Sequence, residues 1–180
     1  MLLVENHYLS KHLSIDFLHL RITSIFYMTH LKIGDQAPFF SELNQNGEII
    51  SSSDFHDKKL ILFFYPKDNT PGCTFESCNL NENYSLLLNR GFQVLGVSPD
   101  SQVSHLKFIQ KYEFQFNLIS DIEKRMCLAY GVWGEKKFMG KNYLGVYRTT
   151  FIIDQNQLIE RIFTKVNTKK HSEQILESYK

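Results

Sequence analysis

The sequence predicts an α/β protein, a three-layer sandwich in which helices cover both faces of a mixed sheet. Two observations lead to this fold class. Apolar strands alternate with helical segments along the middle of the chain, which is typical of parallel strands joined by helices. A strand pair around a short turn and a closing helix then follow, which adds antiparallel strands to the sheet. A chain of 180 residues with 43% hydrophobic content is long enough for one domain with a proper core.

The first predicted elements lead up to a pair of cysteines. Residues 47–55, "GEIISSSDF", read as a short strand followed by a turn capped by serine and aspartate. Residues 59–66, "KLILFFYP", form a continuous apolar run bounded by proline, which predicts a strand buried on both faces. A helix is expected from Pro71 to Asn89, with Gly91 placed to end it.

The rest of the chain continues the alternation. A buried strand is predicted over residues 92–100, and a helix follows behind Ser101. Its apolar stripe is read from four residues at helical spacing: Val103, Leu106, Ile109 and Tyr112. His105 falls on the opposite face of this helix, so no role as a base is predicted for it. The remaining predictions are a strand at 117–121, a capping box at 120–123, two strands within 148–166 around a turn at 154–156, and a helix at 171–180.

Composition excludes some classes of function. The formal net charge of +1 predicts no general attraction to nucleic acid or to anionic membranes. No run approaches the ~18 apolar residues that a membrane span needs. Three cysteines in 180 residues are too few for a disulfide-built scaffold, and they fit a reducing compartment. We therefore expect a soluble, cytoplasmic protein.

Residues 1–27 differ from the remainder of the chain. They lack the basic start, clean apolar stretch and small-residue cleavage site of a secretory signal. Patterning typical of an ordered domain begins at Met28, so the expected division is an N-terminal extension of unknown role at 1–27 and one domain at 28–180. An upstream extension or misplaced start, an ordered accessory segment and a targeting segment remain the alternatives for residues 1–27.

The stretch "PKDNTPGCTFESC", residues 66–78, contains two of the three cysteines. Thr70 is a good N-cap, and Pro71 then occupies the first helical position, where a missing N–H costs nothing. Cys73 becomes the third helical residue, within the positive end-field of the helix. Helix N-termini are among the settings that lower the pKa of a cysteine below its usual ~8.5, so Cys73 is predicted to ionise readily.

Cys78 lies five residues further along the same predicted helix. That spacing moves a side chain ~7.5 Å along the axis, whereas a disulfide needs Cβ atoms ~3.5–4.5 Å apart. The two sulfurs therefore cannot bond while the helix is intact. C-x4-C is also not a usual zinc spacing, and no metal site is predicted. The spacing favours a reactive thiolate whose partner joins it after local unwinding, with two unrelated buried cysteines as the alternative.

Several motifs together resemble the peroxiredoxins, most closely the bacterioferritin comigratory protein or peroxiredoxin Q subfamily. The active-site pattern Pro-x-x-x-Thr-x-x-Cys is matched by Pro66, Thr70 and Cys73, and "TPGCTFESC" carries Glu76 and Cys78 in the subfamily's positions. The resemblance continues through residues 96–112, residues 131–154 and the closing helix. It covers essentially everything after Met28 and implies a thioredoxin-like fold.

The resemblance also implies a role for each site residue. Cys73 would be the nucleophile that attacks a hydroperoxide and becomes a sulfenic acid, and Thr70 would hydrogen-bond between the thiolate and the peroxide. Arg148 would stabilise the thiolate and the developing oxyanion. Cys78 would condense with the sulfenic acid to form an intramolecular disulfide, which thioredoxin would reduce. No cofactor is implied, and a monomer is expected.

Other interpretations of these residues stay open. Cys127 is interpreted as buried apolar filler, the functional alternative being a second resolving thiol. Glu76 is interpreted as a solvated acid of the first helical turn, structural rather than catalytic. Two competing functions are a disulfide oxidoreductase of thioredoxin type, disfavoured because C-x-x-C is absent, and a non-enzymatic redox-sensing or chaperone-like module.

Overall fold

A five-stranded mixed sheet forms the centre of the protein, which a computed structural model describes over residues 29–180. The predictions for residues 1–27 lie outside these residues. The strand order is β5-β4-β3-β8-β9, with β3, β4 and β5 parallel and β8 and β9 antiparallel to their neighbours. The strands of this sheet are β3 (Lys59–Phe64), β4 (Phe92–Ser98), β5 (Asn117–Ser120), β8 (Thr149–Ile153) and β9 (Ile159–Phe163).

Two small hairpins and five α-helices complete the fold. The hairpin strands are β1 (Ser41–Leu43) with β2 (Ile49–Ser51), and β6 (Trp133–Phe138) with β7 (Lys141–Val146). The helices are α1 (Pro71–Glu82), α2 (Tyr84–Asn89), α3 (Gln102–Tyr112), α4 (Arg125–Ala129) and α5 (His171–Glu177), with a 3-10 turn at Ser52–Phe55. None of these helices is both long and apolar enough to cross a bilayer.

The central strand β3 separates two apolar cores. Its side chains alternate between them, with Leu60, Leu62 and Phe64 in one core and Ile61 and Phe63 in the other. Helices α1, α2, α3 and α5 contribute buried side chains to the second core, whereas α4 packs into the first. Burial on both faces explains the continuous apolar run of β3. The predicted three-layer α/β/α sandwich with a mixed sheet is confirmed.

The helix predicted from Pro71 to Asn89 is interrupted. Asn83 adopts a non-helical backbone (φ −101°, ψ 11°) and separates α1 from α2. Its side-chain amide donates to the carbonyl oxygen of Asn79 at 2.9 Å, and asparagine side chains compete in this way with helical hydrogen bonds. Gly91 follows the end of α2 with a φ of +81°, the left-handed geometry expected after a helix.

The predicted orientation of α3 is wrong. Its N-cap Ser101 accepts from the amide of Ser104 as expected, but the fully buried positions are His105 and Phe108. Val103, placed on the apolar stripe by its spacing, is 61% exposed. The buried face of α3 packs against a polar cluster around His105. The spacing of apolar residues did not predict that a polar residue would lie on this face.

The capping box predicted at residues 120–123 is also wrong. Helix α4 begins at Arg125, behind Lys124 in the left-handed conformation (φ 60°). Asp121 instead accepts hydrogen bonds from the amides of Met126 and Cys127, at 3.2 and 2.8 Å. The acid therefore caps the helix from outside its first turn, across offsets of five and six residues that the motif does not encode.

Candidate active site

Strand pairing brings two distant segments of sequence together at one end of the sheet. The last residue of β3, Phe64, pairs with the first residue of β8, Thr149. Because the strands are antiparallel, the loop after β3 and the residue before β8 lie at the same end of the sheet. That loop leads into α1 and Cys73, and the residue before β8 is Arg148.

Cys73 occupies the third position of α1, as predicted, and its side chain is buried. The Nη2 atom of Arg148 donates a hydrogen bond to its Sγ at 3.1 Å. A Cβ at Gly72 would lie 3.4 Å from Nη2, an ordinary van der Waals contact, so this approach does not depend on the glycine. The thiol therefore sits at a helix N-terminus and against a guanidinium, two features that both stabilise a negative charge on sulfur.

Arg148 also binds Glu76, one helical turn after Cys73. Its Nη1 donates to Oε2 of Glu76, so one guanidinium bridges Cys73 and Glu76. Residues three apart share a helix face, and this face is turned inward. The interpretation of Glu76 as a solvated acid is therefore wrong, because its side chain is fully buried. Burial raises the pKa of Glu76 to about 7, against the opposing charge of Arg148.

His171, the first residue of α5, lies behind Glu76. Its Nε2 is 3.9 Å from Oε1 of Glu76, an oxygen without a hydrogen-bond partner among residues 29–180, and 2.8 Å from the hydroxyl of Thr150. Its Nδ1 is 3.0 Å from Oε1 of Gln174. Burial lowers the pKa of His171 to about 4, so the imidazole is neutral at pH 7. The sequence offered no spacing signal that joins this residue to Glu76.

Thr70 is the N-cap residue of α1, but its side chain does not cap the helix. Its hydroxyl donates instead to the carbonyl oxygen of Lys67, at 2.9 Å. The expectation of a side-chain cap is therefore wrong. The donor of the hydroxyl is used within the loop, which leaves the oxygen lone pairs of Thr70 free to accept.

All three cysteines are free thiols. Cys78 is half-buried on the intact helix α1, and partial burial, followed by the charge of Glu82, raises its pKa. Cys127 is fully buried in the first core, and burial together with Asp121 raises its pKa far above the ordinary range. Cys127 thus packs as the predicted apolar filler. Within residues 29–180, no group of three or more His, Cys, Asp or Glu side chains could hold a metal ion.

Comparison with known proteins agrees with this geometry. Residues 33–162 match the AhpC/TSA family. The chain is 42% identical to peroxiredoxin Bcp of Escherichia coli over 149 residues, which cover 83% of this chain and 96% of that protein. The identity extends over nearly the whole length of this relative.

Solved structures show the same relationship. A cysteine-to-serine mutant of Xylella fastidiosa PrxQ superposes with a TM-score of 0.79 at 32% identity, covering 84% of this chain and 96% of that one. Bacterioferritin comigratory protein of Xanthomonas campestris, solved as trapped intermediate and ligand complexes of alkyl peroxide reduction, gives 0.75 at 32% identity, covering 83% and 96%. The chain therefore belongs to the AhpC/TSA family as a peroxiredoxin of the Bcp type, and it is a thiol peroxidase.

Proposed function

We propose that Cys73 is the nucleophile of this peroxidase and that its substrates are hydrogen peroxide and organic hydroperoxides. The observation that carries the proposal is the guanidinium of Arg148, which contacts the sulfur of Cys73 and the carboxyl of Glu76 together. The thiolate attacks the terminal peroxide oxygen and the O–O bond breaks. Cys73 becomes a sulfenic acid, and the leaving oxygen takes up a proton to give water or an alcohol.

Thr70 and Arg148 act on the peroxide in this scheme. Because the Thr70 hydroxyl donates to Lys67, its oxygen accepts a hydrogen bond from the peroxide O–H and orients the terminal oxygen toward sulfur. Arg148 stabilises the thiolate before the reaction and the negative charge on the departing oxygen during it. Each interaction requires the loop before α1 and the start of β8 to keep their relative positions.

Cys78 completes the cycle as the resolving thiol. Its sulfur attacks the sulfenic sulfur of Cys73, water leaves, and an intramolecular disulfide remains. The five-residue spacing requires α1 to unwind first. A dithiol reductant of the thioredoxin class then reduces the disulfide by thiol exchange. The sparse, free thiols support a reducing cytoplasmic setting.

The experiment compares three cysteine variants in a coupled assay with thioredoxin, its reductase and NADPH. We expect Cys73→Ser to abolish peroxide consumption and Cys127→Ser, the matched buried control, to keep it. Cys78→Ser should react once and stop as a sulfenic acid. Full turnover by Cys73→Ser would contradict the assignment of the nucleophile.

The same assay separates the competing functions. Reduction of insulin by the protein, without peroxide consumption, would indicate a disulfide oxidoreductase. Reaction with peroxide only as slow as that of free cysteine, followed by capture of a partner, would indicate a redox sensor.

We further propose that residues 28–180 form the functional unit and that it acts as a monomer. Residues 29–180 supply the buried side chains described for both apolar cores, and every site residue named above lies in that range. Sedimentation of the reduced and the oxidised protein measures the oligomeric state. A dimer in either form would contradict this proposal.

A further inference from the structure

The loop between β3 and α1 is held by a buried cluster centred on Asp68. The hydroxyl of Tyr65 donates to Oδ1 of Asp68 at 2.7 Å, and the hydroxyl of Ser104 donates to Oδ2 at 2.7 Å. The Nδ1 atom of His105 lies 2.9 Å from Oδ2. His105 and Tyr65 are fully buried, and Asp68 is 5% exposed. The loop is thus attached to α3 by its own buried carboxylate.

Both ring nitrogens of His105 face hydrogen-bond acceptors. Nε2 lies 3.1 Å from the carbonyl oxygen of Ile119, which can only accept. Nδ1 faces the carboxylate of Asp68, which already receives two hydroxyl hydrogens. A neutral imidazole has one donor and one acceptor, so it cannot satisfy both contacts. One further hydrogen must therefore lie between Nδ1 and Asp68, which joins the two side chains as a buried hydrogen-bonded pair.

The peptide group that joins Lys67 to Asp68 links this cluster to Thr70. Its N–H donates to Oδ2 of Asp100 at 2.9 Å, and Asp100 is itself held by the hydroxyl of Ser98 at 2.7 Å. The carbonyl oxygen of the same peptide group accepts the hydrogen of the Thr70 hydroxyl. The orientation of one peptide plane therefore decides where the lone pairs of Thr70 point.

We propose that Asp68 and His105 are positioning residues for peroxide, because their buried hydrogen-bonded pair fixes the Lys67–Asp68 peptide group that aims the Thr70 oxygen. This inference rests on the peroxide-binding role of Thr70 proposed above. Removing the imidazole leaves the buried carboxyl of Asp68 without its Nδ1 partner, and such a group draws in water or shifts to reach it. The peptide plane then rotates, and the oxygen of Thr70 no longer points toward the peroxide. Cys73 and Arg148, held by α1 and β8, keep their contact.

The test measures the rate of reaction of the full chain with hydrogen peroxide by stopped flow. The variants are His105→Gln and Asp68→Asn, each alone and combined with Thr70→Val, and the control is Gln110→Ala, an exposed residue on the same helix. We expect each cluster variant alone to slow the peroxide reaction about tenfold, the effect of losing one aimed hydrogen bond. In the Thr70→Val background the same changes should have almost no further effect. Alkylation of Cys73 by iodoacetamide should be unchanged throughout.

Other results would overturn the proposal. In one such result, the combined variant is slower than Thr70→Val by the same factor that the cluster variant alone is slower than the natural protein. That result, or faster alkylation of Cys73, would show that the cluster only stabilises the fold. If Thr70→Val slows the reaction but the cluster variants do not, the positioning role alone fails. If Thr70→Val has no effect, the proposed function of Thr70 fails as well. Nitrogen-resolved NMR of the His105 ring gives a check on the unmodified protein, in which ring N–H groups that exchange freely with water would contradict the buried pair.

Discussion

At the scale of single residues, the site consists of two acids, Cys73 and Glu76, that share the cation Arg148. Glu76 is fully buried, and the loss of hydration disfavours its charged form more than the neighbouring charge of Arg148 favours it. A carboxyl in this position keeps its proton to a higher pH than usual, and the pKa of Glu76 is accordingly raised to about 7. While Glu76 is neutral, the full charge of Arg148 acts on the sulfur.

The raised pKa of Glu76 predicts a pH-dependent stability. The folded protein binds this proton more tightly than the unfolded chain, whose carboxyl has a pKa near 4.5. The stabilisation is therefore complete below about pH 4.5 and is lost as the pH rises through about 7. Relative to Glu76→Gln, the free energy of unfolding of the natural protein should fall by about 2–3 kcal/mol between about pH 5 and about pH 8.

Urea unfolding of both proteins across this pH range measures the difference. His171 acts in the opposite sense, since its pKa is lowered to about 4 and its contribution is lost as the pH falls. It is present in both proteins, so the comparison isolates Glu76. A difference that is constant with pH, or that grows as the pH rises, would contradict the prediction.

At the scale of elements, α5 holds α1 closed next to Cys78. Both the amide and the hydroxyl of Ser172 donate to Oδ1 of Asn79, at 2.8 and 2.9 Å. The amide of the Asn79 side chain donates to Glu173 at 3.1 Å. Asn79 directly follows Cys78, so these bonds must break when α1 unwinds for the proposed disulfide.

Asn79→Ala should therefore accelerate disulfide formation about three- to tenfold, because ~1 kcal/mol of hydrogen bonding no longer opposes unwinding. Unwinding also exposes Cys78, which removes the burial that raises its pKa. Rapid quenching with mass spectrometry follows the loss of two hydrogens. The first reaction of Cys73 with peroxide serves as the internal control and should keep its rate. Unchanged disulfide formation would show that α5 does not limit unwinding.

At the scale of the whole molecule, the site depends on a sheet that joins residues far apart in sequence. Arg148 meets Cys73 across 75 positions only because β8 pairs with the end of β3. His171 meets Glu76 because α5, which follows the last strand of the sheet along the chain, packs against α1. Within the part of the chain that the structure describes, residues after Met28 build the two cores that support these contacts.

A chain that starts at Met28 should therefore match the full chain in function. We expect the same melting temperature within about 2 °C and the same rate with hydrogen peroxide, because the contacts described above that build the site join residues within 29–180. Calorimetry and stopped flow on both proteins make the comparison. A markedly lower melting temperature or rate would assign residues 1–27 a part in the domain.

Local rules were enough for much of this protein. Thr70 and Pro71 place Cys73 at a helix start, the apolar run of β3 marks a strand buried on both faces, and the turn after β8 separates two strands, all within a few residues of chain. Spacing alone also showed that Cys73 and Cys78 cannot bond on an intact helix. The hairpin of β6 and β7, mostly exposed, left too weak a pattern to be predicted.

Only the tertiary structure decided which polar side chains are buried. Glu76 and His105 look like surface residues in sequence, because an acid in a first turn and a histidine off the apolar stripe are ordinary on exposed helix faces. Their partners, Arg148 and Asp68, come from other elements, and a charged side chain is buried only when such a partner compensates for lost hydration. The local sequence shows whether a residue is apolar and so tends to be buried. The partners that allow a polar side chain to be buried are brought to it only by the tertiary structure.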